Sequence, residues 1–165
     1  MNKILVTYYS KTGNVKKMAE FIKECLKEEK MEVVCESIEN VDLDILLEVD
    51  GVIIGSPTYF GSMASPVKNF IDRSIKFYGK LNGKVGGCFT SCQRVGGGSE
   101  TTLQSIINAF FVHVMIVQGF SKGSHYGPVE ISSPDDAALI DCKKLSIAIA
   151  NIVKNLSNKK EEKIR

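Results

Sequence analysis

Short apolar runs rich in β-branched residues alternate along this chain with longer segments whose apolar residues recur every three or four positions. Lys3–Tyr8 (KILVTY) predicts a strand that stops at Ser10, and residues 13–30 then carry Val15, Met18, Ala19, Ile22 and Leu26 on one helical face. The pattern repeats. Glu32–Ser37 predicts a second strand, residues 42–47 a short helix, and residues 51–55 (GVIIG) a buried strand bounded by glycines. Residues 66–78 predict a helix with Pro66 in its first turn, where a missing amide costs nothing, and with Val67, Phe70, Ile71 and Ile75 on one face. Residues 84–90 (KVGGCFT) read as a fourth strand, 100–111 as a helix and 114–117 (VMIV) as a fifth strand. The last helix is expected to open at Ser133-Pro134-Asp135-Asp136, capped by Ser133, and to run to about residue 156.

Strands that alternate with helices pair in parallel, because each crossover returns the chain across a face of the sheet. The expected fold class is therefore α/β: a doubly wound three-layer sandwich with a five-stranded parallel sheet. One domain over residues 1–157 and a charged, solvated tail over 158–165 account for the whole chain. In such sheets ligands bind beyond the carboxyl ends of the strands, where strand order reverses. The loops after the first, third and fourth strands are thus the ones to read for chemistry.

Composition narrows the classes. The 165 residues, 44% hydrophobic and 24% charged, suffice for one buried core. No apolar run approaches the roughly 20 residues of a membrane-crossing helix, and no signal-peptide pattern opens the chain, so a cytoplasmic protein is expected. A net charge of +2, with Lys and Glu interspersed, offers nucleic acid no basic stripe. The five cysteines, Cys25, Cys35, Cys88, Cys92 and Cys142, form no CxxC pair. They match neither a disulfide framework nor a zinc or iron–sulfur site, so reduced thiols and no metal are expected. Cys88 and Cys92 share a face only if their strand continues that far.

The first loop, Ser10-Lys11-Thr12-Gly13-Asn14-Val15, joins a strand to a helix. Its hydroxyls and the free amides of the helix start can cradle a phosphate dianion, which the helix dipole favours, while Gly13 admits close approach. It lacks both the Gly-Lys-Ser/Thr ending of nucleotide hydrolases and the GxGxxG of dinucleotide folds, so a monophosphate fits better. The plainer alternative is that Ser10 and Thr12 merely cap the helix. Residues 55–63 (GSPTYFGSM) set Tyr59 and Phe60 between glycines at the end of the most buried strand. Aromatic faces stack on flat conjugated rings such as an isoalloxazine, or they simply cover the sheet end. Residues 91–98 (SCQRVGGG) add amides and small side chains at the same edge.

With those residues in view, the chain resembles the WrbA-type flavodoxin-like NAD(P)H:quinone oxidoreductases, also called tryptophan repressor-binding proteins. The matching segments are YYSKTGNVKKMA (8–19), GSPTYFGSMASPVKNFIDR (55–73) and GKVGGCFTSCQRVGGGSETT (83–102). The resemblance implies a flavodoxin-like fold, non-covalently bound FMN, NAD(P)H as co-substrate and a quinone or similar small acceptor. It places Ser10, Lys11, Thr12, Gly13, Asn14 and Val15 on the phosphate and Pro57, Thr58, Tyr59, Phe60 and Gly61 on the ring. Ser91, Cys92, Gln93, Arg94, Val95 and Gly96 fall on the ring and ribityl side. In VHVMIVQG (112–119), His113 matches a histidine lying near the flavin and becomes the candidate catalytic residue, although a core histidine explains it equally well. The family's assembly implies a homodimer or homotetramer. This chain departs from the family at Tyr59, where relatives carry arginine, at Cys92, where they carry threonine, and at Gln93-Arg94-Val95, where they carry a small pair.

A flavodoxin acting purely as an electron carrier is the rival class. Carriers dock basic partners through acidic residues around the flavin edge. Residues 56–63 and 91–99 contain no Asp or Glu, and Lys11, Lys16, Lys17 and Arg94 lie nearby in sequence. A neutral to basic mouth attracts nicotinamide phosphates instead.

Overall fold

The computed structural model describes the backbone of residues 1–164 and the side-chain surroundings of residues 1–159. In chain order it contains β1 (Lys3–Tyr8), α1 (Asn14–Glu28), β2 (Glu32–Ser37), α2 (Ile45–Glu48), β3 (Gly51–Tyr59), β4 (Ser62–Met63) and α3 (Ser65–Arg73). A 3₁₀ turn (Ser74–Phe77) follows, then β5 (Val85–Cys92), α4 (Ser99–Val112), β6 (Ile116–Val117), β7 (Val129–Ile131) and α5 (Asp136–Ile164). The main sheet runs β2-β1-β3-β5-β6 with every neighbouring pair parallel. Strand order reverses between β1 and β3, so the chain winds outward in both directions from that crevice.

Alternation along each strand divides the interior into two cores. Ile4, Val6, Ile53, Val85 and Phe89 face α1 and α5, meeting Met18, Ile22, Leu145 and Ile149. Leu5, Val52, Ile54 and Cys88 face the other way and meet Leu46, Val67, Phe70, Leu103 and Phe110. Two glycines in the sheet make room for aromatic rings. A Cβ on Gly55 would lie 2.2 Å from Phe89 Cζ on the paired strand, and one on Gly86 would lie 2.8 Å from the Phe110 ring. Because β5 continues through Cys92, Cys88 and Cys92 share the α4 side, and both are buried.

The fifth strand differs from the sequence expectation. Instead of one strand over 114–117, two short strands share that position. β6 pairs with Val85 and Gly86 near the start of β5, and β7 pairs with Thr90–Cys92 at its end. His113 and Val114 belong to the end of α4. The Met115 amide reaches Phe110 O at 2.9 Å and the Val114 amide reaches Phe111 O at 2.9 Å, the two bonds of a Schellman cap. The left-handed position of that cap, normally glycine, is held by Val114 at φ 60°. At the other long helix, Asp135 and not Ser133 supplies the cap: its Oδ1 accepts from the Ala138 amide at 2.8 Å. α5 then extends to Ile164, past the residue 156 expected from the sequence. The side chains of the charged tail from residue 160 onward lie outside the described residues.

Val114→Gly is expected to stabilise the fold by about 1 kcal/mol. Relief of roughly 1–2 kcal/mol of left-handed strain outweighs the added chain entropy of glycine, and the half-exposed valine side chain gives up little burial. Denaturant midpoints of the two proteins check this, and a lower midpoint for the glycine variant contradicts it.

Candidate functional site

The carboxyl ends of β1, β3 and β5 open onto one cleft of about 520 Å³, lined by Ser10, Lys11, Thr12, Asn14, Val15, Pro57, Thr58, Tyr59, Ser91, Cys92, Gln93 and Ser132. Its volume lies within the ordinary range of ligand sites. The three loops singled out in the sequence therefore meet. Among the lining residues no side chain is acidic and one, Lys11, is cationic.

At one end of the cleft, Gly13 turns the chain into α1 at φ 95°, a conformation that suits glycine. Ser10 Oγ accepts from the Gly13 amide and from the Lys16 amide, each at 3.2 Å. The serine thus performs the capping role foreseen as the plainer alternative. Its own hydroxyl proton remains available for an incoming anion, because an accepting oxygen still carries its O–H. Asn14 ties this turn to the far side of the cleft through Nδ2 to Ser132 O at 2.7 Å.

The β3 end is held rigidly. Ser56 Oγ accepts from the Ala64 amide at 2.9 Å, Thr90 Oγ1 donates to Ser56 O at 2.7 Å, and Thr58 and Thr90 hydroxyls meet at 3.0 Å. β4 folds back on β3 through Phe60 and Gly61, both left-handed at φ 51° and 74°, the signature of a two-residue hairpin turn. That turn aims Phe60 into solvent and leaves Tyr59, 41% exposed, as the aromatic wall of the cleft. Partial burial, with Tyr9 nearby, pushes the Tyr59 phenol up from its ordinary value, so it stays a neutral donor. The β5 loop is anchored by Cys92 Sγ donating to Arg94 O at 3.2 Å, and the β3–β4 turn by Thr101 Oγ1 of α4 donating to Gly61 O at 2.6 Å.

Not every expected residue lies on the wall. Gly13, Phe60, Gly61, Arg94, Val95 and Gly96 shape or flank the loops without lining the cleft. The largest correction concerns His113. α4 begins at the carboxyl edge of the sheet and runs back to the opposite edge, where Val114 O accepts from Gly83 just before β5. His113 is therefore buried at the far edge, among Phe70, Leu81 and Phe110, and does not reach the cleft of its own chain. Its Nε2 lies 2.7 Å from Ser74 Oγ, whose proton goes to Ile71 O at 2.6 Å. That assigns the Nε2–H tautomer and leaves Nδ1 a buried acceptor without a partner. Burial lowers the His113 pKa, so the ring is neutral near pH 7. His125, by contrast, is a loop residue, its Nδ1 2.7 Å from Phe120 O.

Sequence reasoning missed Ser132. This residue stands at φ 71°, and its Oγ donates to Gln93 O at 3.1 Å while its amide donates to Cys92 O at 3.0 Å. The only signal was a pair of serines after the triplet Val129-Glu130-Ile131, which reads equally as a helix cap.

The donor set fits a flat ring joined to a phosphate: hydroxyls and a helix start at one end, an aromatic wall and exposed loop amides at the other. Comparison with known proteins agrees. Residues 43–126 match the family model for NADPH-dependent FMN reductase. An NAD(P)H dehydrogenase (quinone) of Archaeoglobus fulgidus is 32% identical, with 94% of this chain and all of that protein aligned. A flavodoxin of Clostridium saccharobutylicum is 33% identical over 93% of this chain and 99% of its own length. Among solved structures, a WrbA-like flavodoxin from Agrobacterium tumefaciens superposes with a TM-score of 0.81 at 26% identity, covering 94% of this chain and 99% of that one. Fold, cleft and sequence converge: this chain belongs to the NADPH-dependent FMN reductase family, among the WrbA-type flavodoxin-like proteins.

Proposed function

We propose that the protein is an FMN-dependent oxidoreductase that passes reducing equivalents from NAD(P)H to a quinone or similar small acceptor. The observation that carries this reading is the single cleft in which a phosphate-binding turn, an aromatic wall and the β5 loop meet without an acidic side chain. Bound FMN would supply the two-electron chemistry of the reaction. The chain's own residues bind and orient. Ser10, Thr12 and the amides of Asn14 and Val15 hold the phosphate, Gly13 shapes the turn, and Lys11 adds a cation at the mouth. Pro57, Thr58 and Tyr59 take one side of the ring, and Ser91, Cys92 and Gln93 the ribityl side and the other ring edge. Phe60 and Val95, both exposed beside the mouth, offer apolar contact to an arriving nicotinamide or quinone.

The absence of acidic lining favours anionic nicotinamide cofactors over basic protein partners, and so an enzyme over a carrier. Five free thiols support a reducing, cytoplasmic setting, and among the described residues no helix is long and apolar enough to cross a membrane. The net charge of +2 supports small-molecule partners over nucleic acid. Exposed Ile75, Tyr78, Phe111 and Val112 around α3 and α4 support self-association, as homodimer or homotetramer.

The purified protein loaded with FMN is expected to bleach within seconds of anaerobic NADPH or NADH addition and to recover colour on addition of a quinone. Bleaching by dithionite alone would contradict the enzyme reading and favour the carrier. The double variant Ser10→Ala/Thr12→Ala is expected to weaken FMN binding by roughly 1.5–3 kcal/mol for each hydroxyl removed from the charged phosphate. Fluorescence titration with FMN measures this, with riboflavin affinity as the reference. An unchanged FMN affinity contradicts the phosphate site.

A further inference from the structure

Glu130 is the one fully buried carboxylate among the described residues, and both of its oxygens lack a hydrogen-bond partner of good geometry. Such a group is costly to keep charged and is rarely retained without a compensating partner. Its position is specific. It lies in β7 opposite Ser91, and two residues later Ser132 reaches the cleft wall. Strand alternation turns Glu130 toward α1 and α5, since its neighbour Val129 packs with the opposite core. The carboxyl therefore sits behind the end of the cleft where α1 begins and where Asn14 is tied to Ser132.

The groups that face it are the Ser91 side chain from β5, Lys17 from α1 and Asp135 just before α5. Burial is the dominant influence and raises its pKa from the ordinary carboxylate value. Asp135 pushes the same way, while Ser91 and the exposed Lys17 oppose only in part. An anion arriving at the head of α1 would push further in the direction of burial.

We propose that Glu130 couples flavin retention to proton uptake, its carboxyl staying neutral when the phosphate end of the cleft is filled, so that phosphate binding draws one proton from solvent onto the carboxylate. This rests on the FMN reading above. Ionised Glu130, shielded from solvent by its own burial, and the phosphate dianion repel, and each therefore weakens the other. Linkage fixes the sign. Glu130 has a raised pKa, raised again on binding, so FMN affinity is greatest below the pKa of the free protein and falls as pH rises through the window between the two values. A single linked proton limits the slope to about tenfold per pH unit.

The test compares FMN dissociation constants of the wild type and Glu130→Gln between pH 5 and 9 by flavin fluorescence. Glutamine keeps the shape and cannot ionise. The wild-type to variant ratio is expected to rise with pH, by about threefold or more across that range and within the one-proton limit. Taking the ratio removes the titration of the FMN phosphate itself, which ionises fully near pH 6. Calorimetry of the wild type alone, at pH 7.5 in two buffers of different ionisation enthalpy, is expected to show net proton uptake with FMN and much less with riboflavin, which lacks the phosphate. This second measurement stands even if the variant does not fold. A ratio that does not change with pH, or equal proton uptake with FMN and riboflavin, overturns the proposal and leaves the FMN reading intact. Failure of FMN to bind either protein at any pH overturns both.

Discussion

Parallel pairing of β1 with both β2 and β3 is the constraint on which the rest depends. It forces the following helices to opposite faces, α1 with α5 and α2 with α3 and α4, and it leaves a crevice at the carboxyl ends where two loops diverge. The strands carry their apolar side chains to both faces, and the polar, glycine-containing turns are left where no helix covers them.

Rigidity at the cleft comes from the same source. Thr90 lies fully buried in β5, and its hydroxyl fastens Ser56 and Thr58 of the neighbouring strand. Thr101, in the first turn of α4, fastens the β3–β4 hairpin through Gly61. Loop side chains can present a fixed arrangement because their backbones are bonded to the scaffold and, through Asn14 and Ser132, to one another. Among the described residues, Glu130 and the His113 Nδ1 are the exceptions to this economy of satisfied polar groups. Burial that favours the neutral Glu130 carboxyl and a wall in front of it without acidic side chains form one electrostatic arrangement, a site that admits anions and has little negative charge to oppose them.

Much of this was legible in the sequence because it depends on local patterns. The strand cores at Lys3–Tyr8 and Glu32–Ser37 and the helix following Gly13 need only periodicity and one glycine. Ser10 and Thr12 stood out because hydroxyls at a strand-to-helix turn have few other uses. The split fifth strand was not legible, since VMIV reads as a strand until Val114 is seen in a left-handed cap. His113 was misplaced for the same reason: its distance from the cleft is set by the length and direction of α4, a tertiary fact. Ser132 and Glu130 were invisible because β7 is three residues long, too short for alternation to declare itself.

The central claim is that three strand-end turns form one flavin site at the carboxyl edge of the sheet. Amide hydrogen exchange on the full chain, with and without FMN, tests it most directly. Protection is expected in residues 10–15, 58–59, 91–93 and at 132, with the opposite edge around His113 and Val114 unchanged. Protection confined to that opposite edge, with the three turns exchanging as before, would contradict the account.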